Sequence, residues 1–174
     1  MNGLRIREMA LADCDRVAEI RVRGWQHAYR GMVPQSYLDG LSVAEDAERR
    51  RRMHLARAEG GVVNLVAEDP GGEIVGWACH GPYREGEVLT EEAELYALYV
   101  HPDRVGQGAG QALLVESLTR CAAAGRGRLL LWVLKENARA RRFYERSGFR
   151  PDGAEEPFEV EGVVVPEVRY GRTL

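Results

Sequence analysis

The sequence predicts an α/β sandwich in which helices flank a mixed, mostly antiparallel central sheet. Three observations predict it. Helical and strand patterns are interleaved along the whole chain. Most neighbouring strand segments are joined by tight-turn signals, so they pair as hairpins. One segment, Arg128 to Leu134, is apolar without alternation, as expected of a strand covered on both faces. The order β, α, α, three strands, α, β, α, β, β does not fit a doubly wound parallel sheet.

Leu4 to Arg7 alternates and reads as a strand. Leu11 to Tyr29 carries Val17, Ile20 and Val22 at helical spacing. Asp13 lies near its start, where a carboxylate can cap free N–H groups. Pro34 to Leu41 reads as a short helical turn. Ser42 and Glu45 spell a capping box for a charged helix reaching about Glu59. Within it, Arg49 to Arg52 reads as a solvated face with i,i+4 pairs. Gly60-Gly61 breaks the chain. Val62 to Glu68 and Glu73 to His80 form a hairpin about the turn Asp69-Pro-Gly-Gly72. Glu92 to Val100 is the next strand and Gly108 to Ala124 a helix stopped by Gly125. Asn137 to Ser147 is a helix ended by Gly148. A last hairpin, Phe149 to Val160 and Val163 to Tyr170, turns at Glu161-Gly162.

The bulk numbers exclude several classes. A length of 174 residues suits one domain over residues 1–174. The net charge of -3 gives no reason to expect a nucleic-acid partner. Cys14, Cys79 and Cys121 are odd in number and lack a C-x-x-C pair, so neither a disulfide framework nor a zinc site is expected. His27, His54, His80 and His101 show no metal-ligand spacing, and no metal is expected. Charges occupy the N-terminus where a signal peptide needs apolar residues, and no apolar run approaches a membrane span. A soluble, cytoplasmic protein is the expectation.

The most informative stretch is Leu95 to Leu114. An apolar strand ends at His101-Pro102, glycines follow at 106, 108 and 110, and a helix begins at once. A loop without side chains before a helix N-terminus can hold an anion, most often a phosphate. The loop lacks the Gly-Lys-Ser/Thr of a Walker motif. A dinucleotide-binding turn stays open, because Glu136 closes the next strand, but the G-x-G-x-G spacing and the intervening 101–105 argue against it.

A second motif follows the apolar strand: Asn137-Ala-Arg-Ala-Arg-Arg-Phe-Tyr-Glu-Arg-Ser-Gly-Phe149. Together with Tyr99-Val-His-Pro-Asp and the glycine loop, it resembles the GCN5-related N-acetyltransferase (GNAT) family. Trp25 to Pro34 is similar to a bacterial subgroup of that family. The resemblance implies a sheet splayed open at a cofactor cleft and transfer of an acetyl group from acetyl-CoA to an amine. It places the CoA diphosphate on the backbone of Gly106, Gln107, Gly108, Ala109, Gly110 and Gln111. It places the pantetheine arm along Leu98, Tyr99 and Val100, with Asn137 bonding to the arm. An amide-rich arm suits a strand edge with free N–H and C=O groups. Val105 stands where the family usually has Arg or Gln, and Arg104 is the expected substitute charge.

By the same resemblance Tyr144 is the general acid for the departing thiolate. Its plainer reading is an aromatic packed beside Phe143. Glu94, sharing a strand face with Glu92, is the favoured base, although Glu91 to Glu94 also reads as a solvated strand end. Trp25, His27 and Tyr29 border the acceptor site in the family; as residues they read as core packing. The acceptor is a small-molecule or peptide amine, and the last hairpin could pair across a homodimer. A non-catalytic acyl-CoA-binding sensor is the alternative from another class, and it would need neither Tyr144 nor Glu94.

Overall fold

The computed structural model describes residues 3–56, 60–85 and 88–174. Strand β1 (Arg5–Glu8) leads through a 3-10 turn (Leu11–Asp13) into α1 (Cys14–Ala28). The short α2 (Gln35–Asp39) and α3 (Val43–Ala56) follow. Next come β2 (Val63–Glu68), β3 (Ile74–Glu85) and β4 (Val88–Val100). Then α4 (Ala109–Ala123), β5 (Arg128–Leu134) and α5 (Ala138–Arg146) precede β6 (Arg150–Val160) and β7 (Val163–Thr173).

The strands form one sheet in the order β1-β2-β3-β4-β5-β7-β6. Every pairing is antiparallel except β4 with β5. One face of the sheet packs on α4 through Leu113, Leu114 and Cys121, with Leu129, Leu131, Val133 and Tyr170 beneath. The other face packs on α1 through Val17 and Ile20, against Val66, Ile74 and Trp77. A third cluster joins α2 to the far hairpin, with Leu38, Leu134, Val160 and Val165 at its centre. Burial of this kind contributes roughly 25 cal/mol per Å² of apolar surface.

The expected caps are present in part. Asp13 accepts from Ala10 N–H at 2.7 Å and is held by Arg7 at the same distance. Ser42 Oγ accepts from Glu45 N–H at 3.2 Å. The proposed extension of α3 to Glu59 lies outside the described residues.

Two expectations need correction. Strand β3 does not end at His80, and β4 does not begin at Glu92. Gly81-Pro82 looks like a breaker, yet β3 continues to Glu85 opposite β4. Strand β2 stops pairing at His80, so Pro82 sits where β3 is an edge, and proline is tolerated there. Nor is Arg50 part of a solvated face. Its side chain is 10% exposed, bonded to buried Asp46 at 2.7 Å and stacked over Trp77. Asp46 also holds Arg21 and Arg49. Arg52 makes the expected i,i+4 pair with Glu48, whereas Arg51 reaches across to Asp15 of α1.

Candidate active site

Strands β4 and β5 pair only at Ala93–Leu129 and Glu94–Leu130. Beyond Glu94 they part, and the gap is a cleft of about 860 Å³. Leu98, Tyr99 and Val100 line one wall, Leu131 to Leu134 the other. On this side the main chain of β4 past Glu94 has no strand partner, so its N–H and C=O groups are available to a ligand.

The glycine loop closes one end of the cleft. Gly106 (φ 81°) and Gly108 (φ 94°) adopt left-handed conformations, which is why glycine stands at both. The first bond closing α4 runs from Ala112 N–H to Gly108 C=O at 3.0 Å. The N–H groups of Ala109, Gly110 and Gln111 therefore lack helical acceptors and carry the positive end of the helix dipole. All three residues line the cleft, as do Gly106 and Gly108. Gln107 does not; its side-chain carbonyl accepts from Arg104 Nε at 3.3 Å.

Arg104 is not the substitute charge that the sequence suggested. Its guanidinium is held by Asp69 at 2.7 Å and Glu73 at 3.0 Å, which ties the loop to the β2–β3 turn. Arg139, Arg142 and Arg146 of α5 line the cleft instead, and none has an ion-pair partner among the described residues.

Helix α5 is set by its cap and by one buried phenol. Asn137 Oδ1 accepts from Ala140 N–H at 3.2 Å, and the residue lines the cleft. Tyr170 OH accepts from Arg141 Nε and donates to Glu145, both at 2.8 Å. Those residues are one turn apart, so this grip fixes the rotation of the helix. Tyr144 is thereby directed into the cleft, packed edge-on to Phe143 and Phe149. Its hydroxyl has no hydrogen-bond partner among the described residues. Burial, reinforced by the Tyr99 hydroxyl, raises its pKa above that of a free phenol.

A second cavity of about 400 Å³ adjoins the first; Leu95, Tyr96, Tyr99 and Glu167 line both. A β-bulge creates the junction. Cys79 and His80 are adjacent on β3 but face Ala97 and Leu95, so Tyr96 is the extra residue on β4. The bulge reverses the alternation. Ala97 and Tyr99 face α1, and below the bulge Glu94 takes that face while Ala93 and Leu95 enter the opposite core.

Glu94 lines the second cavity, whereas Glu92 is paired with Arg128 at 3.1 Å and does not. Burial, with Glu156 and Glu167 adding repulsion, pushes the Glu94 carboxyl up to about 7. Glu167 is raised as well, by burial and by Glu156. Trp25 and Tyr29 pack against the third core cluster, as expected, and also wall this cavity edge-to-face, centroids 4.7 Å apart. His27 is exposed at the rim of the larger cleft.

Glu156, Glu167, Trp132 and Phe158 were not singled out from the sequence. A signal existed for the two glutamates. They are equidistant from the turn Glu161-Gly162, so a two-residue hairpin sets them opposite each other, as observed.

The profile of the acetyltransferase (GNAT) family matches residues 21–149. The chain belongs to that family. This GNAT protein is an acyltransferase, and its sheet is the GNAT sheet. It is 33% identical over 167 residues to the uncharacterized N-acetyltransferase YuaI of Bacillus subtilis, covering 95% of this chain and 91% of that one. It is 27% identical over 146 residues to the L-amino acid N-acyltransferase MnaT of Escherichia coli, covering 84% and 79%. Among solved structures it resembles PaiA N-acetyltransferase from Thermoplasma acidophilum in complex with coenzyme A. The TM-score is 0.74 at 18% identity, with 99% of each chain covered. Of the described residues, no group of His, Cys, Asp and Glu could hold a metal ion, and no helix is long and apolar enough to cross a membrane.

Proposed function

We propose that this GNAT chain moves an acetyl group from acetyl-CoA to a small amine by direct attack, with Glu94 as base and Tyr144 as acid. The observation that carries the reading is the parting of β4 and β5 immediately after Glu94. It opens a cleft of about 860 Å³ that runs from the glycine loop to Glu167, which suits an extended donor, and adjoins a second cavity suited to the acceptor.

The residues present fit acetyl-CoA. Free N–H groups of Ala109, Gly110 and Gln111, with Arg142 and Arg146 nearby, suit a diphosphate. The unpaired edge of β4 at Leu98, Tyr99 and Val100 suits the amide-rich pantetheine arm, and the Asn137 amide is available to it. The PaiA crystal structure holds coenzyme A, which supports carrying this ligand over to the present fold. Three buried free thiols fit a reducing cytoplasm.

In this reading Glu94 takes a proton from the incoming ammonium, directly or through one water, and leaves a nitrogen lone pair free to attack the thioester carbonyl. A carboxyl titrating near 7 can accept that proton at neutral pH. Tyr144 stays protonated throughout that range. It presents its O–H to the sulfur as the C–S bond breaks, which contributes about 10²–10⁴-fold. Holding amine and thioester together where the two cavities meet supplies much of the remaining acceleration. The test is thiol release when acetyl-CoA and a panel of amines are mixed with the protein. Release with at least one amine is expected; none, despite bound acetyl-CoA, would overturn the catalytic roles.

A further inference from the structure

The second cavity carries more information than its position. Glu156 and Glu167 face each other across β6 and β7, and Glu94 projects toward them from β4. Like charges directly opposite on paired strands are destabilising. None of these three carboxylates has an ion-pair partner among the described residues. Arg21, the basic residue of the wall, is bonded to Asp46 at 3.1 Å and lies over Trp25. The remaining walls are mostly aromatic, with Trp25, Tyr29, Tyr37, Trp132 and Phe158 joined by Leu95 and Leu134.

Aromatic faces attract organic cations, more strongly where water is excluded. An ammonium would also relieve the Glu156–Glu167 repulsion that the fold sustains. An acceptor with its own carboxylate meets a less favourable wall, since among the described residues Arg21, already bonded to Asp46 through Nη1, is the one cation lining the cavity against three carboxylates. We propose that the acceptor is a small organic dication, a diamine or polyamine. Its reacting nitrogen lies at Glu94 and its distal ammonium between Glu156 and Glu167. The proposal rests on the acetyl-transfer reading above and narrows its substrate class. The reacting ammonium gives one proton to Glu94, its nitrogen then displaces the CoA sulfur from the acetyl carbon, and a second nitrogen proton makes good the one that Tyr144 gives the departing thiolate. The distal one keeps its proton, so the product still carries a positive charge.

The test compares kcat/KM for a series of α,ω-diaminoalkanes with 1-aminobutane and with methionine. CoA thiol release is the readout, and acetyl-CoA affinity is measured separately by calorimetry. Diamines are expected to exceed both controls by about tenfold or more, which corresponds to roughly 1.4 kcal/mol of differential binding. Glu156→Gln is expected to raise the diamine KM about tenfold while leaving the acetyl-CoA Kd in place. Preference for methionine or the monoamine, or an unchanged KM in Glu156→Gln, would overturn the dication. Absence of acetyl-CoA binding would instead remove the reading beneath it.

Discussion

The hydroxyls of Tyr29 and Tyr99 lie 3.2 Å apart and tie the end of α1 to β4 at the boundary between the two cavities. The approach is close because Gly24 lies over the Tyr99 ring; a Cβ there would sit 3.0 Å from Cδ1. Burial raises the pKa of both phenols. Tyr29→Phe removes the Tyr29 partner of the half-buried Tyr99 hydroxyl and should cost about 1 kcal/mol. Urea denaturation checks this, and the acceptor KM should rise as the wall loosens.

Tyr144→Phe keeps the ring packed on Phe143 and Phe149 and removes only the donor. We expect kcat to fall by about 10²–10⁴-fold with acetyl-CoA affinity unchanged. Steady-state kinetics paired with calorimetry separates the two quantities. Unchanged turnover would assign the acid role elsewhere.

Glu94 couples activity and stability to pH in opposite directions. As the proposed base, Glu94 acts in its carboxylate form, so kcat/KM should rise with pH through about 7 and lose that limb in Glu94→Gln. A carboxyl whose folded pKa lies above its unfolded value binds its proton more tightly when folded. Its contribution therefore favours the fold at low pH and is lost as pH rises from 4.5 to about 7. Glu94→Gln should then stabilise the protein by about 1 kcal/mol at pH 8, a figure discounted for partial solvation, and by little at pH 5. Thermal melts at the two pH values check the sign.

The buried carboxylate of Asp46 organises α1 and α3 without touching the cleft. It is 3% exposed and receives Arg21, Arg49 and Arg50. Asp46→Asn leaves Arg50 buried without a counter-charge, in a site whose burial already lowers its pKa. A loss of about 3–5 kcal/mol is expected in denaturant unfolding. Removing Arg49, whose side chain is 53% exposed, should cost well under that.

What the sequence revealed was local. The glycine loop, the Asn137 cap, the Glu161-Gly162 turn and the helix bearing Tyr144 are each set by residues within a few positions of one another. What it concealed was long-range. The strand that the sequence ends at His80 runs on through Gly81-Pro82 because β2 has ended beside it. The bulge at Tyr96 shows only in the β3 register, and it is what aims Glu94 into the second cavity. Arg104 looks free until Asp69 and Glu73, 35 and 31 residues earlier, are found holding it. Arg50 looks solvated until Trp77 lies under it. The acidic cavity draws on β4, β6 and β7, so it could not be read from one segment.

The central claim is that an acyl-CoA lies in the β4–β5 gap with its diphosphate on the amides that follow Gly108. Calorimetric titration of the chain with coenzyme A tests it most directly, alongside Gly108→Val, which forces a branched side chain into a left-handed backbone at roughly 1–2 kcal/mol. The account predicts binding at one site per chain, weakened at least about tenfold in a folded Gly108→Val. Absence of binding heat with the unaltered chain, or equal affinity in the variant, would contradict it.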